Sequence, residues 1–263
     1  MTSRVAIKPR PLTEQDCAGL HWRSPSDYGF SSQISSILIS SSELAAVTLE
    51  MPWFFVQAKR TWRALVPLRR ARDGGCLWLH EDGSLAVNRL PFLLRMYPFT
   101  VLSERESHVL GIWQDPDCLG NVGLPLFEGG KLSPTLDPVA RGFASFVAGL
   151  ETINKIGAAL QAAGVLKPAP RKYGGDGALF EIDEDALRSV PADVLASLSQ
   201  NGALAAAHAQ LLSRHHLKNL TKQKVASQPP NTPVTRNADS DFLDALTDDL
   251  LSGAELKPGA LAP

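Results

Sequence analysis

Residues 53–80, WFFVQAKRTWRALVPLRRARDGGCLWLH, contain three short apolar runs, 53–57, 63–69 and 76–80, set apart by charged and glycine-bearing residues. Each run is too short for a helix of its own and is rich in aromatic and aliphatic side chains. Asp73-Gly74-Gly75 and Asp82-Gly83 supply the turn chemistry of hairpins. The spacing predicts antiparallel strands, and residues 108–114 (HVLGIWQ) add another that carries Trp113. Lys59, Arg60, Arg63, Arg69, Arg70 and Arg72 fall among these strands beside Trp62. Basic residues interleaved with an aromatic can bind anions or nucleic acid, but the preferred reading is the solvent face of a strand pair.

The stretch that follows, residues 89–102 (RLPFLLRMYPFTVL), holds two prolines among aromatics and aliphatics. Pro91 and Pro98 remove backbone donors and bias the residues before them away from the helical region. The segment therefore reads as extended and largely buried. A guanidinium in such surroundings needs a partner, so Arg95 is expected to be buried and paired, with Glu43 as its carboxylate. Upstream, residues 21–31 (HWRSPSDYGFS) bring three aromatics on an irregular piece. Residues 40–49 (SSSELAAVTL) suit a short helix capped by serine and ended before Pro52.

Past the turn-rich connector 123–130 (GLPLFEGG), which delivers Leu126 and Phe127 to the core, the period changes. Val139, Phe143, Phe146, Val147, Leu150, Ile153, Ile156 and Leu160 recur at helical intervals. One long helix is predicted over 137–161, with Pro138 in its first turn, a bend near Gly149 and an end at Gly164. A short strand over 178–182, a helix capped by Asp183, and helices over 191–198 and 203–220 separated by Asn201-Gly202 complete the folded part. The last of these carries His208, His215 and His216; adjacent histidines point to different helix faces, so no metal site is read there. The fold class is α+β: an antiparallel, aromatic-rich sheet or partial barrel in the N-terminal half, packed with helices from the C-terminal half.

Acidic and basic residues nearly balance, at a net charge of −1, which gives no global field to draw nucleic acid or an anionic membrane. No apolar run approaches a bilayer's thickness, and the first residues lack the apolar core of a secretory signal. Cys17, Cys76 and Cys118 are isolated and read as reduced thiols. A soluble, cytoplasmic protein without metal or cofactor is expected. Its parts are a loosely held arm (1–20), a folded domain (21–221), a polar, proline-bearing linker (222–240) and an acidic tail (241–263). In the tail, Phe242, Leu243, Leu246 and Leu250 line one face of a short amphipathic helix that should order only against a surface. A separate protein partner is preferred over the basic strip 59–72 as that surface.

No glycine-rich phosphate loop, nucleophile elbow, zinc-binding helix or calcium loop stands in the chain. The leading reading is a noncatalytic binding or accessory module for a peptide or glycan, with Arg95, Tyr97, Phe99, His21, Trp53 and Trp113 as ligand-binding candidates. The alternative is an enzyme of unfamiliar design, oxygenase-like and acting on peptides or sugars, with His21, His80, His108, Arg95 and Tyr97 as candidates. His80-Glu81-Asp82 is ligand-like but would need a further group such as His108.

Several separated motifs resemble one known family. They are His21 with Asp27-Tyr28-Gly29-Phe30, then Glu43 ahead of Met51-Pro52-Trp53-Phe54-Phe55, and the most specific, Leu94-Arg95-Met96-Tyr97-Pro98-Phe99. Gly123-Leu124-Pro125-Leu126-Phe127, Gly164-Val165-Leu166-Lys167-Pro168, Phe180-Glu181-Ile182-Asp183 and Ala209-Gln210-Leu211-Leu212-Ser213 continue the pattern in order. From about 21 to 220 the chain is similar to the SapC family of bacterial proteins. Met96 departs from it, standing where a second basic residue is common. The resemblance implies no established activity; its associations are with a surface-layer gene cluster, nutrient uptake and peptide or glycan modification, including oxygenase-like companions.

Overall fold

Five antiparallel strands make the largest sheet, in the spatial order Leu166–Pro168, Leu179–Ile182, Phe54–Ala58, Thr61–Pro67 and Ser36–Ile39. The computed structural model describes residues 9–217, except 59, 70–75, 81, 105–106 and 171–178. The linker 222–240, the tail with Phe242, Leu243, Leu246 and Leu250, and the glycine turn at 73–75 lie outside the described residues. The central hairpin pairs Phe54 with Leu65 and Ala58 with Thr61, and turns through Arg60 at φ +72°. Two of the five strands come from the second half of the chain, so the sheet is completed by segments that follow the long helix in sequence.

That helix, Asp137–Ala162, spans the predicted range and covers the sheet along Thr61–Pro67. Its apolar stripe, Phe143 to Leu160, is buried. Two glycines let it approach closely. A Cβ on Gly157 would lie 2.4 Å from Cβ of Trp62, and one on Gly149 would lie 2.7 Å from Cβ of Ser40. Gly149 thus serves as a contact point within one continuous helix. Asn154 and Gln161 on the same helix accept from the main-chain N–H and indole N–H of Trp62, at 2.8 and 3.2 Å. At the other end, Gln210 of helix Ala203–Ser213 is fully enclosed; it donates to Trp53 O and accepts from Ile182 N–H, both at 3.1 Å. One side chain thereby ties helix Ala203–Ser213 to strand Leu179–Ile182 and to the residue that leads into strand Phe54–Ala58.

A second sheet orders Pro9–Pro11, Ser107–Trp113 and Phe99–Glu104. Residues 9–17, read from sequence as part of a loose arm, are built in: Pro9 pairs with Trp113 and Pro11 with Gly111, and a short helix covers Glu14–Cys17. The prolines are accommodated because this strand is an edge, where a missing N–H costs no ladder bond. A third sheet places His21–Trp22 between Leu119–Gly120 and Leu124–Pro125. Gly123 is needed there; at φ +131°, a Cβ would come within 2.3 Å of Trp22 O.

The fold is α+β with open sheets, as the sequence predicts. Three local expectations are corrected. Residues 76–80 form isolated bridges, Arg69 to Cys76 and Leu79 to Leu85, instead of a strand. Leu77 and Trp78 are buried side by side, and Trp78 is anchored by its indole N–H on Pro67 O at 3.0 Å, so no alternation develops. The region 89–102 is not extended throughout, because a four-residue helix, Phe92–Arg95, forms between the two prolines before strand Phe99–Glu104 begins. Pro91 precedes that helix, where its absent N–H breaks no intrahelical bond. Arg63, assigned to a solvent face, is buried. Among the described residues no helix is long and apolar enough to cross a membrane.

Candidate functional site

Two carboxylates flanking the helix Leu44–Thr48 hold the segment that carries Arg95. Glu50 Oε2 accepts the main-chain N–H groups of Asn88 and Arg89, at 2.5 and 3.3 Å. Glu43 accepts the N–H of Phe92 with one oxygen and that of Ser40, at 3.1 Å, with the other. The serine cap expected from SSSELAAVTL is present at Ser40, and Glu43 returns a bond to the Ser40 N–H that completes a capping box; neither that return bond nor the reach to Phe92 is legible in the sequence. Burial pushes the Glu43 carboxyl up from its ordinary value, and the Ser40 and Phe92 N–H groups and the nearby Arg95 charge partly offset this.

Arg95 is exposed, contrary to the expectation of a buried anchor. Its guanidinium lies over the Phe92 ring, 5.8 Å from the centroid, and it forms no salt bridge with a described residue. The ion pair expected with Glu43 is not formed: Glu43 feels the Arg95 charge but spends its oxygens chiefly on main-chain donors. Phe92 itself packs on Phe143 and Phe146 at 4.9 and 5.3 Å. That approach depends on Gly142, where a Cβ would lie 3.0 Å from the Phe92 ring.

The result is a groove of about 500 Å³ between the Ser40–Val47 turn and helix, the 88–95 segment and the long helix. Its floor is apolar, with Val47, Leu90, Phe92 and Phe146; Ser42 and Ser145 add hydroxyls; Arg89 and Arg95 stand exposed on the rim. This size is typical of ligand sites, and the chemistry suits a ligand with an acidic group beside an apolar one.

The other candidates lie elsewhere. Tyr97 stacks on Phe30 at 3.9 Å and faces Trp113 at 6.4 Å, while its hydroxyl donates to Asp115 at 2.7 Å. Phe99 meets Trp22 edge-on at 4.8 Å, beside His21. Tyr97, Phe99, Trp113 and the His21–Trp22 strand therefore gather into one aromatic cluster, separate from the groove lining. Trp53 is enclosed in the main sheet, with its indole N–H on Thr48 Oγ1 at 3.0 Å. His80 is at an exposed turn, His208 is exposed, and His216 contacts Thr48 O at 3.1 Å. Among the described residues no three His, Cys, Asp or Glu side chains gather as a metal site.

Two features were missed. Arg89 is separated from Arg95 by Pro91, and nothing in the spacing puts them on one rim. Arg63, 3% exposed, lines a cavity of about 40 Å³ with His108, Glu151 and Asn154. Burial lowers it to about 10, opposed by Glu151, and it donates to Trp62 O at 3.0 Å. The cavity admits water-sized guests only. A signal for this existed: the unbroken run ALVPL after Arg63 is the mark of a strand covered on both faces.

A family model described as SapC matches residues 12–220. The chain belongs to the SapC family. No curated protein and no solved structure matches it. The residues that carry the family resemblance meet in space: Phe30, from Asp27-Tyr28-Gly29-Phe30, is the ring on which Tyr97 of Tyr97-Pro98-Phe99 stacks. Asp27 closes its own turn by accepting Gly29 N–H at 2.7 Å. Two of the family motifs thus build one aromatic wedge, and the next, Glu43, grips the segment leading into it.

Proposed function

We propose that the protein is a noncatalytic binding or accessory module whose groove takes a ligand bearing an acidic group next to an apolar one, a class that includes acidic peptides and acidic glycans. The observation that carries this is the pair of exposed arginines, Arg89 and Arg95, standing over an apolar floor of Leu90, Phe92 and Phe146. Guanidinium forks match carboxylates in bidentate fashion and lose little hydration in doing so. Glu43 supports binding over chemistry, since its carboxylate is occupied as an acceptor for main-chain donors. The associations of the family favour a role beside surface-layer, uptake or peptide- and glycan-modifying systems.

Calorimetric titration with panels of acidic peptides and uronate-bearing oligosaccharides tests this, comparing wild type with Arg89→Ala/Arg95→Ala. Each lost charge-assisted contact is worth about 1.5–3 kcal/mol, so the double variant should bind at least about tenfold more weakly at an unchanged melting temperature. An acidic ligand held equally by both proteins would remove the groove from consideration.

A further inference from the structure

We infer that the groove is occupied in the free protein by the chain's own acidic C-terminal segment, residues 241–251, so that an external ligand must displace it. This rests on the groove reading above and assigns that site its regulation.

The first support is where the described chain ends. His216 sits with Nε2 3.1 Å from the carbonyl oxygen of Thr48, and Leu217 is buried directly after it. Thr48 is the last residue of the helix Leu44–Thr48, and Ala46 and Val47 of that helix line the groove. The chain therefore leaves the folded body against the same helix that forms a groove wall. Residues 218–240 then provide polar, proline-bearing tether. A random coil of that length would have a root-mean-square span of about 26 Å, ample to pass around a helix about 10–12 Å across.

The second support is chemical fit. DFLDALTDDLL places Phe242, Leu246 and Leu250 at intervals of four, with Leu243 beside them, and sets Asp241, Asp244, Asp248 and Asp249 around that stripe. The groove offers the complement: an aromatic and aliphatic floor, and arginines on the rim. Amphipathic helices dock in this way, apolar anchors in a trough and charge on its edge. The competing surface on the body, the basic strip 59–72, is weakened as a dock, because Arg63 within it is enclosed under the long helix. A separate partner remains the other occupant, yet tethering favours the segment in cis. At an effective concentration of about 1 mM, a groove that holds such a segment at about 100 µM would be mostly closed, and would show an apparent affinity for competitors about tenfold weaker.

The experiment uses the full chain, as wild type and as Phe242→Ser/Leu246→Ser/Leu250→Ser. Two readouts are taken: amide hydrogen exchange over residues 42–47 and 88–95, and binding of a fluorescent peptide spanning residues 239–252. The tail variant should exchange faster in those two segments alone and bind the peptide at least about tenfold more tightly than wild type. Arg89→Glu/Arg95→Glu in the wild-type chain should reproduce the faster exchange without binding the peptide. Equal peptide binding by wild type and tail variant, with unchanged exchange, overturns closure by the tail and leaves the groove reading standing. Protection that grows with protein concentration overturns closure in cis, since the tail then docks on a second copy. If neither the peptide nor any acidic ligand binds the tail variant, the groove reading and the inference fail together.

Discussion

Arg63 and Arg95 both sit among aromatic and aliphatic neighbours in the chain, yet the fold encloses the first and leaves the second in solvent. Arg63 lies on a strand, Thr61–Pro67, whose positions from Trp62 onward are all buried, because the long helix covers one face and the rest of the core the other. Arg95 closes a helix of four residues, too short to bury more than Leu94. The comparison shows that the company an arginine keeps in sequence says little about its burial. What decides is whether the element under it is covered on one side or two.

The largest test of that contrast is charge reversal at Arg63. Arg63→Glu would set an anion in an enclosed site towards Glu151, and should cost about 3–5 kcal/mol, the range for an uncompensated buried charge. Urea denaturation measures it; a loss below 1 kcal/mol would mean that the site is wet and open.

Of intermediate size is Glu43→Gln. It removes a charged acceptor from the Ser40 and Phe92 N–H groups and should cost about 1–2 kcal/mol at neutral pH. The pH dependence has a definite sign. With its carboxyl raised above the ordinary 4.5 by burial, the folded protein binds protons more readily than the unfolded one there, so this group adds stability as pH falls towards 4.5. Wild type should therefore gain on the variant upon acidification, read as diverging urea midpoints. Midpoints that converge instead would show the carboxylate to be favoured by its donors more than it is penalised by burial.

The smallest effect is expected at Arg95 itself. Arg95→Leu should shift stability by no more than about 0.5 kcal/mol, as for an ordinary surface change, while weakening acidic ligands. A drop of several kcal/mol in thermal or chemical melts would restore it to the anchoring role first assigned from its neighbours.

The long helix and the Asp183 cap were readable because each repeats a period or a capping pattern, and the strands Phe54–Ala58, Thr61–Pro67 and Ser107–Trp113 because each is a compact apolar run; the turn at Arg60 that joins the first two carries none of the turn chemistry found at 73–75 and 82–83. Pairs such as His21–Trp22 or Leu124–Pro125 were not, since two residues have no period and exist as strands only through partners about a hundred positions away. The groove was half visible. Arg95 and Glu43 are singled out together by sequence and both line it, but without the ion pair expected between them. Arg89, Ser145 and Gly142 were invisible, because their meeting depends on how the long helix lies on the Ser40 turn, and that is set by the close approach of Gly149 to Ser40 and of Gly157 to Trp62.

The hold that Glu43 and Glu50 exert on residues 88–92 is on main-chain hydrogens alone. It is therefore indifferent to which side chains stand at those positions, and the only residue it excludes at 88, 89 or 92 is proline, which has no hydrogen to give. Rim chemistry and loop geometry are in this way uncoupled. Exchanging Arg89 for an amide or an aromatic residue removes none of the hydrogen bonds that hold the segment, which makes this rim a place where preference for one ligand over another can be rewritten one residue at a time.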